Sequence, residues 1–214
     1  MKLYSYFRSS ASYRVRIALN LKGLSADVTQ VHLTRHGGEQ HTPEYRAINP
    51  DGLVPVLVDD GQAITQSLAI IEYLDETHPA PALLPRDARE RAYVRSIALA
   101  IACDIHPLDN LRVLRYLKRE LQVGEQARNA WYRHWCEQGL AALEQSVVRA
   151  GRAGQFCLGD SPTLADCCLV PQIHNALNMQ SDLTAMPALM RINANCLALP
   201  AFANAAPELQ PGAE

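Results

Sequence analysis

Lys2-Leu3-Tyr4-Ser5-Tyr6-Phe7-Arg8-Ser9-Ser10-Ala11-Ser12-Tyr13-Arg14-Val15-Arg16 is the stretch on which the fold turns. Its first six residues alternate apolar and polar and read as a strand. The serines read as a turn and helix N-cap, because a short hydroxyl can accept from the open backbone N–H groups of a first turn. Val15, Ile17, Ala18, Leu19 and Leu21 then recur at helical spacing, and Gly23 closes the helix. A helix start carries unpaired N–H groups and a partial positive charge, which suits an anion. Here three arginines, Arg8, Arg14 and Arg16, flank it. The plainer reading, a well-capped amphipathic helix with solvated arginines, stands beside the anion site.

Working outward, Asp27 to Leu33 reads as a second strand, so a right-handed βαβ unit with parallel pairing is the default. Thr34 to Thr42 is polar, contains Gly37-Gly38, and reads as a mobile loop. Pro43 to Ile48 suits one or two helical turns, and Asn49-Pro50-Asp51-Gly52 is a turn. Leu53 to Thr65 reads as a hairpin around Asp59-Asp60-Gly61. Pro55 stands at a strand start, where a trans bond is the ordinary expectation and a cis bond the alternative. Gln66-Ser67 opens a helix with Leu68, Ile71 and Leu74 on its inner face, Ser67 being the expected N-cap.

The proline-rich run His78 to Pro85 marks the domain boundary. The expected division is a small α/β domain over residues 1–79, a linker over 80–86 and an all-helical domain over 87–214. Asp87 to Leu121 is a long helical pattern with His106-Pro107 at its middle, where proline kinks or splits a helix. Glu125 to Ala150 is another, with Trp131, Trp135, Leu140, Leu143 and Val147 expected inside. Thr163 and Asp166 form a capping-box pattern, which assigns Asp166 to structure rather than catalysis. The following helix, Leu164 to Ala176, is apolar on most sides and is expected at the centre. Met186-Pro187 starts a last helix through Leu199, and a loose tail is expected after Ala206.

Composition narrows the classes. The chain has 214 residues, 48% hydrophobic and 20% charged, with a net charge of −2. No basic tract points to nucleic acid, no run reaches membrane-spanning length, and no leader pattern precedes the first strand. The six cysteines show no C-x-x-C spacing and read as reduced thiols of a cytoplasmic protein. No metal site is expected.

These motifs together resemble the cytosolic glutathione transferases, and specifically the zeta class. The Ser-Ser-x-Ser-aromatic-Arg-Val-Arg stretch is the class-specific piece. Asn49-Pro50 with Val54-Pro55, Gln66-Ser67 to Leu74, and Leu164-Ala165-Asp166 to Gln172 extend the resemblance over nearly the whole chain. It implies a thioredoxin-like domain followed by a helical domain, a homodimer, and glutathione as cofactor. It also implies a glutathione-dependent isomerisation of maleylacetoacetate or maleylpyruvate to the fumaryl compound. In the light of the resemblance Val54-Pro55 becomes a cis-proline whose preceding backbone pairs with the cysteinyl unit. Gln66 and Ser67 become holders of the γ-glutamyl carboxylate, and Gln40 a further glutathione contact. Ser9 and Ser10 flank the sulfur, with Ser9 the favoured thiolate partner. Arg8 becomes the first catalytic cation, and Arg112 its partner on the dicarboxylate. His106 and Asn110, within and just after Asp104-Ile105-His106-Pro107, face the glutathione in the related bacterial isomerases. Two departures stand out: Ala11 replaces the usual cysteine, and Asn178 stands where an arginine is usual. The alternatives are a conjugating or dehalogenating transferase, or a non-catalytic glutathione-binding protein.

Overall fold

The computed structural model describes residues 1–213. The chain divides into two compact units, Met1–Leu84 with the segment from Ala198 onward, and Pro85–Leu197.

The first unit is built on a four-stranded sheet in the order β2-β1-β3-β4. Strand β1 (Lys2–Ser5) is followed by helix α1 (Ser10–Leu21) and β2 (Asp27–Gln30), which returns parallel to β1, as a helical crossover requires. Two short 3₁₀ turns and α2 (Pro43–Ile48) lead to the antiparallel hairpin β3 (Val56–Asp59) and β4 (Gln62–Thr65). Its two-residue turn places Asp60 at φ 45° and Gly61 at φ 77°, the left-handed pair that matches strand twist. Helix α3 (Ser67–Thr77) packs on α1. Tyr6, Phe7, Val31, Tyr45, Val54 and Val56 form one buried cluster.

Two expectations fail here. Residues 80–84, assigned to the linker, belong to the first unit. Lys22 holds them there: its ammonium pairs with Asp75 at 2.7 Å and donates to the carbonyls of His78 and Pro81, while Asp75 accepts from the backbone of Leu83 and Leu84. The C-terminal segment, assigned to the helical domain, also belongs to the first unit. Phe202 is fully buried, Tyr13 donates to its carbonyl, and Arg16 donates to the carbonyl of Ala205 at 3.0 Å. Pro207 is buried as well.

The second unit is helical: α4 (Ala88–Leu99), α5 (His106–Asp109), α6 (Leu111–Arg119), α7 (Glu125–Ala150), α8 (Leu164–Asn178) and α9 (Pro187–Leu197). Pro107 neither kinks nor splits the pattern at its own position. A π-helical turn over Ala100–Ile105 precedes it, with His106 N–H reaching back to Ile101. The extra residue widens the turn where the proline ring would collide with the carbonyl four residues back. The chain breaks instead at Asn110, which is extended at ψ 144° and caps α6. In α7 the buried residues include Tyr132, Cys136, Leu140, Leu143 and Val147; the expected Trp131 and Trp135 are only half-buried. Tyr132 and Cys136 are the positions in helical phase with Leu140.

Helix α8 is buried on most sides, and its capping box is complete. Asp166, fully buried, accepts from the backbones of Cys157 and Thr163 at 2.8 Å each and from the Thr163 hydroxyl. Burial still pushes this carboxyl above the ordinary range. Its role is to fix the connector before α8. The short helix α10 (Pro200–Ala203) completes the first unit. No helix among the described residues is long and apolar enough to cross a membrane.

Candidate functional site

The sheet register draws three predicted segments of the first unit together. Tyr4 pairs with Val56 and Val56 with Thr65. The exit of β1 toward Ser9, the entry of β3 after Val54-Pro55, and the exit of β4 into Gln66-Ser67 therefore lie at one end of the sheet. Val54 packs with Tyr6 and Phe7.

At this end Ser9 is the N-cap of α1, with its hydroxyl oxygen accepting from Ser12 N–H at 3.2 Å. Its O–H remains able to donate elsewhere. Ser9 is half-buried, whereas Ser10, the first helical residue, is only 4% exposed. Arg8 is exposed, its guanidinium 5.4 Å from the centre of the Phe7 ring.

The other two arginines are not solvated. Arg14 is 2% exposed and donates to the Ser67 hydroxyl at 3.3 Å, tying the start of α3 to α1. Arg16 is 6% exposed and donates to the carbonyls of Phe7 (3.1 Å) and Ala205 (3.0 Å). Burial lowers its pKa to about 10. Both act on loop geometry, and their polar sequence context concealed their burial.

The Val54–Pro55 bond is cis. Leu53, just before it, is held by two donors to its carbonyl, Tyr45 Oη at 2.6 Å and Asn49 Nδ2 at 2.8 Å. Nothing in the sequence singles out Tyr45, and Asn49 stands out only as part of a turn. Burial raises the Tyr45 phenol well above its ordinary range, so it stays a donor. Gln66, not Ser67, is the half-in residue at the start of α3, at φ 68° and ψ 118°. A glutamine in that region is strained, and such outliers concentrate at ligand sites. Ser67 becomes the first residue of the helix, buried, with its N–H in the open first turn.

Gln40 is 4% exposed and sits in a segment expected as a mobile loop. That segment instead forms two 3₁₀ turns, Arg35–Gly37 and Glu39–His41. The Glu39 carboxylate accepts from His32 N–H at 2.6 Å, and His32 Nδ1 accepts from the backbone of Arg35. Gln40 Nε2 donates to the Leu33 carbonyl, while Oε1 is buried without a partner among the described residues.

In the second unit, the break between α5 and α6 joins the remaining predicted residues. Asn110 Nδ2 donates to His106 Nε2 at 3.2 Å, and Asn110 Oδ1 accepts from Arg112 N–H at 3.0 Å. The Arg112 side chain is exposed. Beside them is a residue to which the sequence assigns no role. Asp109 is 8% exposed, and neither carboxylate oxygen has a partner among the described residues. Burial pushes its pKa up to about 7. Asn178, in place of the usual arginine, ends α8 exposed, with Nδ2 donating to His174 Nε2 at 2.9 Å. Among the described residues no group of three His, Cys, Asp or Glu is placed to hold a metal ion.

Residues 3–82 match the N-terminal domain of glutathione S-transferases, and residues 129–196 match their C-terminal domain. The maleylacetoacetate isomerase of Pseudomonas aeruginosa is 49% identical over 99% of this chain and 98% of its own. The chain belongs to the glutathione S-transferase family. Within it the zeta class is the branch: a holo maleylpyruvate isomerase described as a bacterial member of that class superposes with a TM-score of 0.96, at 45% identity over 100% of both chains. A maleylacetoacetate isomerase from Anaeromyxobacter dehalogenans is 41% identical, with a TM-score of 0.86 over 100% of this chain and 97% of its own. That structure holds dicarboxyethyl glutathione and citrate in its active site.

Proposed function

We propose that this glutathione transferase is a glutathione-dependent cis–trans isomerase of a maleyl keto-acid, maleylacetoacetate or maleylpyruvate, giving the fumaryl product. The observation that carries the reading is the convergence at one sheet end of the Ser9 cap, the Val54 backbone and the strained Gln66-Ser67 start of α3. The relatives named for this reaction support it, as does a ligand joining glutathione to a dicarboxylate in one of them.

The residues fit glutathione. Open first-turn N–H groups at Ser67, with its hydroxyl, suit a carboxylate. Gln40 Oε1, buried without a partner among the described residues, has acceptor capacity for an amide or ammonium. The Val54 backbone, at the entry of β3, suits strand-like pairing with a peptide. When bound, glutathione supplies the thiolate that adds to the cis double bond and leaves after rotation about the resulting single bond. Ser9 donates its O–H to the sulfur while its oxygen stays on Ser12, and the start of α1 adds its partial positive charge. Both favour the charged form of a thiol whose ordinary pKa is about 8.5. Arg8 holds a carboxylate or the enolate charge that develops on the substrate. Arg112 is assigned to a carboxylate of the substrate as well, with its backbone fixed by Asn110. His106 and Asn110 are assigned to glutathione. Ser10, buried at the first position of α1, is the second hydroxyl assigned to the sulfur. The assembly is a homodimer in the cytoplasm, a compartment that suits six cysteines with no disulfide among the described residues.

The test is isomerisation of maleylpyruvate and maleylacetoacetate with and without glutathione, in the wild type and in Arg8→Ala and Arg112→Ala. Each variant loses about 1.5–3 kcal/mol of transition-state stabilisation on the diacid, roughly ten- to a hundredfold in kcat/KM, and less on a neutral chloronitroaromatic. Equal losses on both substrates would replace the reading with the second one, a conjugating or dehalogenating transferase. Asn178, without the charge of an arginine, favours that second reading.

A further inference from the structure

Helix α6 carries Arg112, Arg115, Lys118 and Arg119 within nine residues, in a chain whose net charge is −2. At 100° per residue the four fall within an arc of about 120° that Leu111 shares, and Val113, Leu114 and Leu117 fall on the other side. No residue of α6 is buried, and Arg112, Lys118 and Arg119 are exposed. Lys118 and Arg119 complement the negative end of the helix dipole; Arg112 and Arg115, in the first two turns, oppose the positive end. Helix stability therefore accounts for Lys118 and Arg119 but not for Arg112 and Arg115. No acidic residue stands between Asp109 and Glu120, and burial holds Asp109 largely protonated below about pH 7.

We propose that the basic face of α6 gathers dianionic substrate at Arg112, lowering KM without taking part in the chemical step. The proposal rests on the isomerase reading for the identity of the substrate. A dicarboxylate feels each charge twice. Lys118 and Arg119 stand six and seven residues beyond Arg112, about 9 and about 10.5 Å along the axis at about 1.5 Å per residue. That is close to the Debye length of about 8–10 Å near physiological salt and well inside the ~30 Å at 0.01 M. Each charge is then worth about twofold in dianion affinity at low salt and little at high salt.

The experiment compares Lys118→Gln/Arg119→Gln with Arg86→Gln/Arg89→Gln, two exposed arginines of the same unit that match the change in net charge. Two readouts are taken at about 10 mM and about 300 mM salt: the Kd of fumarate by calorimetry, and kcat and KM for maleylpyruvate. In the α6 variant Kd and KM rise about fourfold at the lower salt and under about 1.5-fold at the higher, with kcat unchanged. The control stays within about 1.5-fold, as does turnover of a neutral chloronitroaromatic. An unchanged Kd at low salt, an equal rise in the control, or no fumarate binding by the wild type overturns the proposal. If the wild type binds fumarate but isomerises no maleyl diacid, the isomerase reading fails, and the fumarate Kd still decides the role of α6.

Discussion

Replacing Asp109 by asparagine isolates the cost of one buried carboxylate. In the folded chain burial moves the Asp109 pKa from 3.8 to about 7, with no partner on either oxygen among the described residues. The folded state thus holds a proton that the unfolded chain releases near pH 4. Stability contributed by the neutral carboxyl is complete below about pH 4, declines as pH rises toward 7, and is gone above it. Roughly three pKa units at about 1.36 kcal/mol each give roughly 4 kcal/mol of decline across that window. The amide of the Asp109→Asn variant would keep the shape and lose the proton, so its stability should be level through the same window apart from the background of other groups. The assay is urea unfolding of wild type and Asp109→Asn at half-unit steps from about pH 4.5 to about pH 8.5, read as the difference between the two curves. Across that range the variant gains on the wild type by about 3 kcal/mol, with most of the change below about pH 7. Parallel curves would refute the reasoning and mean that the carboxylate is solvated or paired in solution. Asp166 and the buried thiols remain in both proteins and cancel in the difference.

Ser9→Ala removes both a cap and a donor, and the two losses are separable. Unfolding stability falls by about 1 kcal/mol, while an absorbance titration of bound glutathione shows a higher thiol pKa; an unchanged pKa assigns the sulfur to Ser10 or to backbone N–H groups. Arg16→Ala strips donors from the buried carbonyls of Phe7 and Ala205 and costs at least about 3 kcal/mol by urea unfolding, with faster proteolysis of the segment after Ala198. A loss under about 1 kcal/mol would show that water replaces the guanidinium. Asn178→Arg raises kcat/KM for maleylpyruvate at the exposed end of α8 and leaves a neutral electrophile unaffected; an equal gain on both substrates would rule out a carboxylate contact.

The first unit was legible wherever structure is local. Serine caps, the Asp60-Gly61 turn and the β-α-β alternation each state their geometry within a few residues, and the sheet follows from them. What escaped depends on partners far along the chain. Tyr13 and Phe202 are 189 residues apart, and so are Arg16 and Ala205; no periodicity links such positions. Polar Arg14 and Arg16 read as solvent-facing because sequence pattern scores the side chain, not the carbonyls waiting for it. Trp131 and Trp135 are expected inside, whereas phase with Leu140 puts Tyr132 and Cys136 there.

The candidate site shows the same division. Ser9, Val54, Gln66 and Ser67 stood out because a family resemblance picks them out by type and spacing. The geometry that makes them useful was hidden: Gln66 at positive φ, Arg14 on Ser67, Tyr45 and Asn49 on the Leu53 carbonyl. In the second unit Pro107 drew attention to the wrong residue. A proline announces a conflict with the carbonyl four residues before it, not how the helix resolves it. Here a π turn takes up the conflict, the helix continues through Asp109, and the break is deferred to Asn110. The deferral has two consequences. It sets Arg112 in the first turn of a new helix, exposed and against the dipole, where an anion rather than the fold gains from the charge. It also leaves Asp109 inside, its carboxyl protonated up to about pH 7. An ionised carboxylate three residues from Arg112 would work against the anion that Arg112 is placed to attract.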